Sequence, residues 1–102
     1  MALRLAFCND MTREQRKFVL PRICGESIHL VTEKIDRRQL PDVPWTGILT
    51  GRDRSLSRRQ QRRSIAALPG TVIPMVACHD MMVSEPERLA EILVGRCRRY
   101  SR

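Results

Sequence analysis

Two residues of this chain have the types and the places to do acid–base chemistry together. Asp53 follows the apolar, β-branched run Trp45-Thr46-Gly47-Ile48-Leu49-Thr50, in the turn Gly51-Arg52-Asp53-Arg54. His79 follows a second such run, Thr71-Val72-Ile73-Pro74-Met75-Val76-Ala77, in Cys78-His79-Asp80. A carboxylate beside a histidine fixes the imidazole tautomer and stabilises the imidazolium formed in reaction. The histidine can then take a proton from a nucleophile. Spacing leaves alternatives open. Asp53 could pair with Arg52 or Arg54, Asp80 is a competing acid, and His79 could be an ordinary loop residue.

For Asp53 and His79 to meet, the two runs must be parallel strands joined by a right-handed helical crossover. Both residues then leave the carboxyl-terminal edge of the sheet, where open α/β sheets place their chemistry. The intervening residues suit a helix. Ser55 or Ser57 can cap it, it runs to about Leu68, and Pro69-Gly70 ends it. Its outer side is strongly basic, and Leu56, Ile65, Ala66 and Leu68 supply a small apolar patch. Gly51 permits the tight turn before Asp53. Pro74 places the second strand near an edge or a bend. Ser84 precedes Glu87 by the spacing of a capping box, with Pro86 in the first turn of a closing helix. Leu89, Ile92, Leu93, Cys97 and Tyr100 are expected on its inner face, with Arg96, Arg98 and Arg99 near its carboxyl end.

Upstream, residues 1–10 read as an extended lead-in or loop. Thr12 can cap a helix from Arg13 to Leu20, with Glu14 and Gln15 in its first turn, and Pro21 interrupts it. A second short helix is expected from Ser27 to Ile35, with Ile28, Val31 and Ile35 on one face. Such short helices need another surface to lie on. Asp36 to Pro44, with Pro41 and Pro44, is a connector.

At 102 residues the chain has room for one domain, and its 42% hydrophobic and 29% charged fractions are those of an ordinary globular protein. No apolar run approaches the roughly 20 residues that span a bilayer. The N-terminal run stops at Asn9-Asp10 before a signal-peptide core is complete. A cytoplasmic protein without a membrane partner is expected. The cysteines at 8, 24, 78 and 97 form no C-x-x-C pair, and His29 and His79 add no zinc spacing. They read as free, partly buried thiols, with no metal or other cofactor. The net charge of +8 is nearly all arginine and has two readings, a footprint for phosphate or a solvated face. The arginines are scattered in sequence, no aromatic platform interleaves with them, and no nucleic-acid-binding motif is present, so the solvated face is preferred.

The run VPWTGILTGRDRSLSRRQQRRSIAALPGTVIPMVACHDMMVSEPERLAEIL resembles the C-terminal part of α/β-hydrolases, nearest the esterase and hydroxynitrile-lyase type. Thr50-Gly51-Arg52-Asp53-Arg54, Gln61-Arg62-Arg63, His79-Asp80-Met81-Met82 and Ser84-Glu85-Pro86 with Leu89-Ala90 carry the resemblance. FCNDMTREQRKFVLPRICGES is similar to the helical cap of that group. The resemblance implies a partial α/β-hydrolase fold: a cap-like helical segment and connector over 1–43, then β-α-β-α with two parallel strands over 44–102. It implies that Asp53 is the catalytic acid and His79 the catalytic base, without a cofactor. The family's order of nucleophile, acid, histidine is respected for the last two.

The sequence has no Gly-x-Ser-x-Gly elbow, and no oxyanion-hole loop can be found in it. Cys78 adjoins His79, but neighbours on a strand point to opposite sides, so it does not fit as a replacement nucleophile. The expectation is an ester- or acyl-hydrolase chain that is incomplete and inactive alone. A small ester or acyl substrate would bind once a missing segment completes the site. Two further readings are a non-catalytic protein that oligomerises or joins a complementing chain through open strand edges, and a small basic nucleic-acid binder.

Overall fold

The computed structural model describes residues 2–36 and 38–101. The fold is mixed α/β. Strand β1 (Trp45–Thr50) and strand β2 (Gly70–Met75) pair in parallel, from Trp45 opposite Gly70 to Thr50 opposite Met75. Helix α4 (Arg58–Ala66) makes the crossover. A short helix α5 (Met81–Ser84) and the long α6 (Pro86–Tyr100) follow. Before the sheet lie α1 (Ala2–Phe7), α2 (Arg13–Val19) with a 3-10 turn at Leu20–Arg22, and the single turn α3 (His29–Thr32).

The helix starts follow their local chemistry. The Thr12 hydroxyl accepts from the Gln15 amide while the Gln15 carboxamide oxygen accepts from the Thr12 N–H. Ser57 and Gln60 make the same reciprocal pair at α4. Each such cap contributes about 1 kcal/mol. The capping box expected at Ser84 does not form. Ser84 belongs to α5, its hydroxyl accepts from the Cys78 thiol at 3.5 Å, and α6 begins at Pro86, with Glu85 before it making no side-chain cap. Residues 2–7 are helical rather than an extended lead-in, in keeping with the helix propensity of Ala, Leu and Arg. The helix expected from Ser27 to Ile35 shrinks to one turn, because no surface covers Ile28, Val31 or Ile35.

Gly51 N–H donates to the Met75 carbonyl at 2.8 Å, which shows which residues face across the ladder. Residues 49 and 51 point their backbone groups at β2, and residue 75 points back at β1. By alternation Thr46, Ile48 and Thr50 face the free edge of β1, and Pro74 faces the free edge of β2. Pro74 therefore costs the sheet no internal bond. The second strand is shorter than expected. Beyond Met75 the chain turns, with the Ala77 N–H donating to the Met75 carbonyl at 3.0 Å.

Helix α4 closes on one face of β1 at Gly47, where an added Cβ would meet the Ile65 side chain at 2.9 Å. A core of Met75, Ala77 and Ile92 forms where α6 lies on the sheet, with Ile48, Ile73, Met81 and Leu89 packed around it. Burying Ile92 contributes about 1.5–3 kcal/mol. The inner face of α6 differs from the expected one. Leu89, Ile92 and Arg96 turn inward, whereas Leu93, Cys97 and Tyr100 are exposed. Arg96 reaches the Thr46 hydroxyl at 2.9 Å and the Thr71 hydroxyl at 3.2 Å, so sheet threonines select an arginine over a cysteine. A second core of Cys8, Met11 and Cys78, flanked by Phe7, Val19 and Val83, ties the N-terminal helices to the loop after β2. Among the described residues no helix is long and apolar enough to cross a membrane.

Candidate active site

Asp53 and His79 meet at the carboxyl-terminal ends of the paired strands. The Asp53 Oδ2 and His79 Nδ1 atoms lie 2.9 Å apart. Asp53 Oδ1 accepts from the backbone N–H groups of Ser55 and Leu56, both at 2.8 Å. Oδ2 also faces the Thr50 hydroxyl at 3.0 Å. The Asp53 side chain is 2% exposed and that of His79 is 32% exposed. Burial pushes the Asp53 carboxyl up, but the bonds from Leu56, His79, Ser55 and Thr50 together outweigh it, and the group titrates below the ordinary carboxylate range.

The alternatives that spacing left open close here. Among the described residues Asp53 makes no ion pair with Arg52 or Arg54, and its partner is His79. Asp80 makes no hydrogen bond to His79; its carbonyl instead receives the Val83 and Ser84 N–H groups at the start of α5. With Asp53 ionised, the neutral imidazole carries its proton on Nδ1 and presents the Nε2 lone pair. Nε2 has no hydrogen-bond partner among the described residues. Phe7 meets the ring edge-on, with centroids 5.1 Å apart. A cleft of about 480 Å³ opens beside His79, walled by Phe7, Arg22, Ile23, Cys24, Glu26 and Asp80.

Behind the pair stands a residue whose role the sequence did not disclose. Gln61 is 7% exposed and wholly hydrogen-bonded. Its Oε1 accepts from the Thr50 N–H at 2.8 Å and lies 3.0 Å from the Thr50 hydroxyl. Its Nε2 donates to the Thr50 and Leu56 carbonyls at 3.0 and 2.9 Å. The carboxamide thus stands in for a neighbouring strand at Thr50 and fastens both ends of the Asp53 turn. Its position was visible in the spacing: Gln61 lies midway between Ser57 and Ile65 on the inner face of α4.

Cys78 does not supply a nucleophile. It is fully buried, burial pushes its thiol up to about 11 with Asp10 adding to the shift, and its Sγ donates to Ser84. Among the described residues no group of three His, Cys, Asp or Glu side chains gathers as metal ligands would. Set beside known proteins, the chain matches no family model, no curated protein and no solved structure.

Proposed function

We propose that the chain carries the acid and the base of a serine-type hydrolase of α/β-hydrolase architecture, acting on an ester or related acyl bond. The nucleophile belongs to a segment outside these residues. One observation carries the reading: Asp53 and His79 are 2.9 Å apart just past the ends of two parallel strands, and His79 lines a cleft. In the completed site His79 Nε2 removes the proton of a serine hydroxyl as its oxygen attacks the acyl carbon. Asp53 holds the ring and stabilises the imidazolium. The imidazolium gives its proton to the departing alkoxide, leaving an acyl-enzyme. A water molecule, deprotonated by the same nitrogen, releases the acid and restores the serine.

The open edge of β1 is the natural junction for the missing segment. The backbone groups of Thr46 and Ile48 face outward there, whereas Thr50 is already satisfied by Gln61. The outer edge of β2 is blunted by Pro74.

Two measurements test the proposal. The purified chain should hydrolyse p-nitrophenyl acetate no faster than free imidazole does. Turnover well above that level, lost in both His79→Ala and Asp53→Asn, refutes the incomplete-site reading. Nitrogen NMR of the neutral His79 ring should find the Nδ1–H tautomer, and a dominant Nε2–H tautomer refutes the dyad. The same open edge favours a second reading, a non-catalytic interaction protein that adds a strand from another chain. Association that is unchanged in His79→Ala, with no activity in any complex recovered, selects it.

A further inference from the structure

The N-terminal helices enclose a concentration of positive charge that the proposed hydrolytic site does not use. Two clefts lie against α1 and α2. One, of about 480 Å³, is lined by Arg4, Arg13, Arg16, Lys17, Leu20 and Pro21. The other, of about 340 Å³, is lined by Arg4, Leu5, Cys8, Asn9, Arg16 and Arg54. Arg4 and Arg16 line both, so the two clefts adjoin. Five cations gather there, and no acidic side chain lines either cleft among the described residues.

None of the five makes an ion pair among the described residues. Arg16 is partly buried and fixed, because its Nη1 donates to the Met11 carbonyl. Arg4 and Arg16 also act together on the buried Cys8 thiol. Burial and Asp80 raise that thiol while these two cations lower it. Holding like charges in one concavity is unfavourable unless an anion joins them. Apolar residues also line the clefts, Leu5 in one and Leu20 and Pro21 in the other.

We propose that the paired clefts bind a small molecule carrying a diphosphate group, held at the junction where Arg4 and Arg16 line both clefts. Guanidinium groups hold phosphoryl oxygens by two parallel hydrogen bonds, and arginine dominates this set. A single carboxylate would leave most of the five charges uncompensated. A nucleic-acid duplex is too wide to enter clefts of this volume, and the fold carries an exposed basic surface elsewhere. Arg58, Arg59, Arg62 and Arg63 form two like-charge rows along exposed α4, one helical turn apart in each row. That helix is the built-in comparison, with four arginines on an exposed face. The site also adjoins the Asp53 turn, because Arg54 lines one cleft and the Asn9 carboxamide donates to the Arg52 carbonyl at 2.9 Å. Its occupancy does not depend on the hydrolase reading.

The test is calorimetric titration of the full chain with inorganic pyrophosphate and with ADP, at constant ionic strength near 0.15 M. Saturable binding at one site per chain is expected. It should weaken about tenfold or more in the double variant Arg4→Gln/Arg16→Gln. The double variant Arg59→Gln/Arg63→Gln, which removes the same charge from α4, should bind as the parent does. Because Arg16 also supports the Met11 carbonyl, Arg13→Gln/Lys17→Gln serves as the second variant. Neither side chain makes a hydrogen bond among the described residues, and this pair should lose affinity with the fold intact. Tighter binding of pyrophosphate identifies an inorganic ligand, and tighter binding of ADP identifies an organic diphosphate that uses the apolar lining; either order supports the site. Absence of saturation overturns the proposal. So does equal weakening in the α4 pair, parent-like affinity in Arg13→Gln/Lys17→Gln, or exclusive binding of an oligonucleotide that depends on Arg59 and Arg63.

Discussion

Residues 45–101 and residues 2–44 are held by different means. The first stretch has a six-position parallel ladder, a helix on each side of it and the buried side chains of Met75, Ala77 and Ile92. The second is fastened at few places: Cys8 and Met11 against Cys78, the Asn9 bond to the Arg52 carbonyl, and the Gln15 bond to the Val83 carbonyl at 2.8 Å. From residue 21 to residue 44 every described residue is exposed. Asp53 and His79 both belong to the well-held stretch, while part of the cleft wall, Arg22 to Glu26, belongs to the other. The 2.9 Å contact between Asp53 and His79 is set at the end of the ladder. The facing wall of the cleft sits where movement is cheap.

The largest way to break this contrast is to open the ladder. A Cβ added at Gly70 would lie 2.2 Å from the Trp45 carbonyl oxygen, a backbone atom that cannot step aside. Gly70→Ala should cost about 3 kcal/mol or more. Loss of cooperative unfolding in urea is the expected result, and a midpoint equal to that of the parent would mean the strands do not approach so closely. Next comes Gln61→Ala, which strips partners from the Thr50 N–H and from the Thr50 and Leu56 carbonyls. A loss of about 2–3 kcal/mol is expected. Gln61→Glu sharpens the point. At neutral pH it turns a carboxylate oxygen on those carbonyls and should be worse than alanine, recovering part of the loss in acid.

Asp53 gives a smaller effect with a defined sign. Its folded pKa is depressed, so its contribution is present above the unfolded value of about 3.9 and is lost as pH falls through the lower folded value. Asp53→Asn should lower stability at pH 7 by about 1–2 kcal/mol. The gap between variant and parent should close in acid, and a gap that widens toward low pH would reverse the assignment. Cysteine labelling then tests the seam between the stretches. Cys24 and Cys97 are exposed, whereas Cys8 and Cys78 are buried against one another's neighbours. Iodoacetamide at pH 8 should modify the first two promptly. Cys8 and Cys78 should follow slowly and at matched rates, because undocking of α1 and α2 uncovers both.

What was legible in the sequence divides along the same line. Both strands, the helix between them and the turns bearing Asp53 and His79 could be read from β-branched runs, Ser57, and Pro69-Gly70. These are local signals, and the ladder makes them agree. The pairing of Asp53 with His79 rather than with Arg52, Arg54 or Asp80 was implied by the resemblance but not legible from spacing, since it depends on how tightly the Gly51 turn brings the two loops together. Gln61 was visible as a residue and not as a brace, because its partners are backbone atoms that carry no sequence identity. Ser84 misled for a related reason: its spacing suits a cap, but a thiol six residues earlier takes its hydroxyl. The inward turn of Arg96 followed from threonines on strands that lie far away in sequence.

The smallest predicted effect lies where the pattern at Ile28, Val31 and Ile35 suggested a buried helical face. Val31 is 76% exposed and touches no core cluster. Val31→Ala should therefore shift stability by no more than about 0.5 kcal/mol. Its amide and those of its neighbours should exchange with solvent near the rate of an unstructured peptide. Binding of a completing segment would change both results. If a completing segment of the kind proposed above lies over residues 21–44, Val31→Ala becomes costly and the amides become protected only in the completed protein. Protection in the chain alone would instead mean that this stretch already finds a surface, such as the same stretch of a second copy. A null effect in the chain and a marked effect on completion would turn its apolar residues from a misfit into an interface.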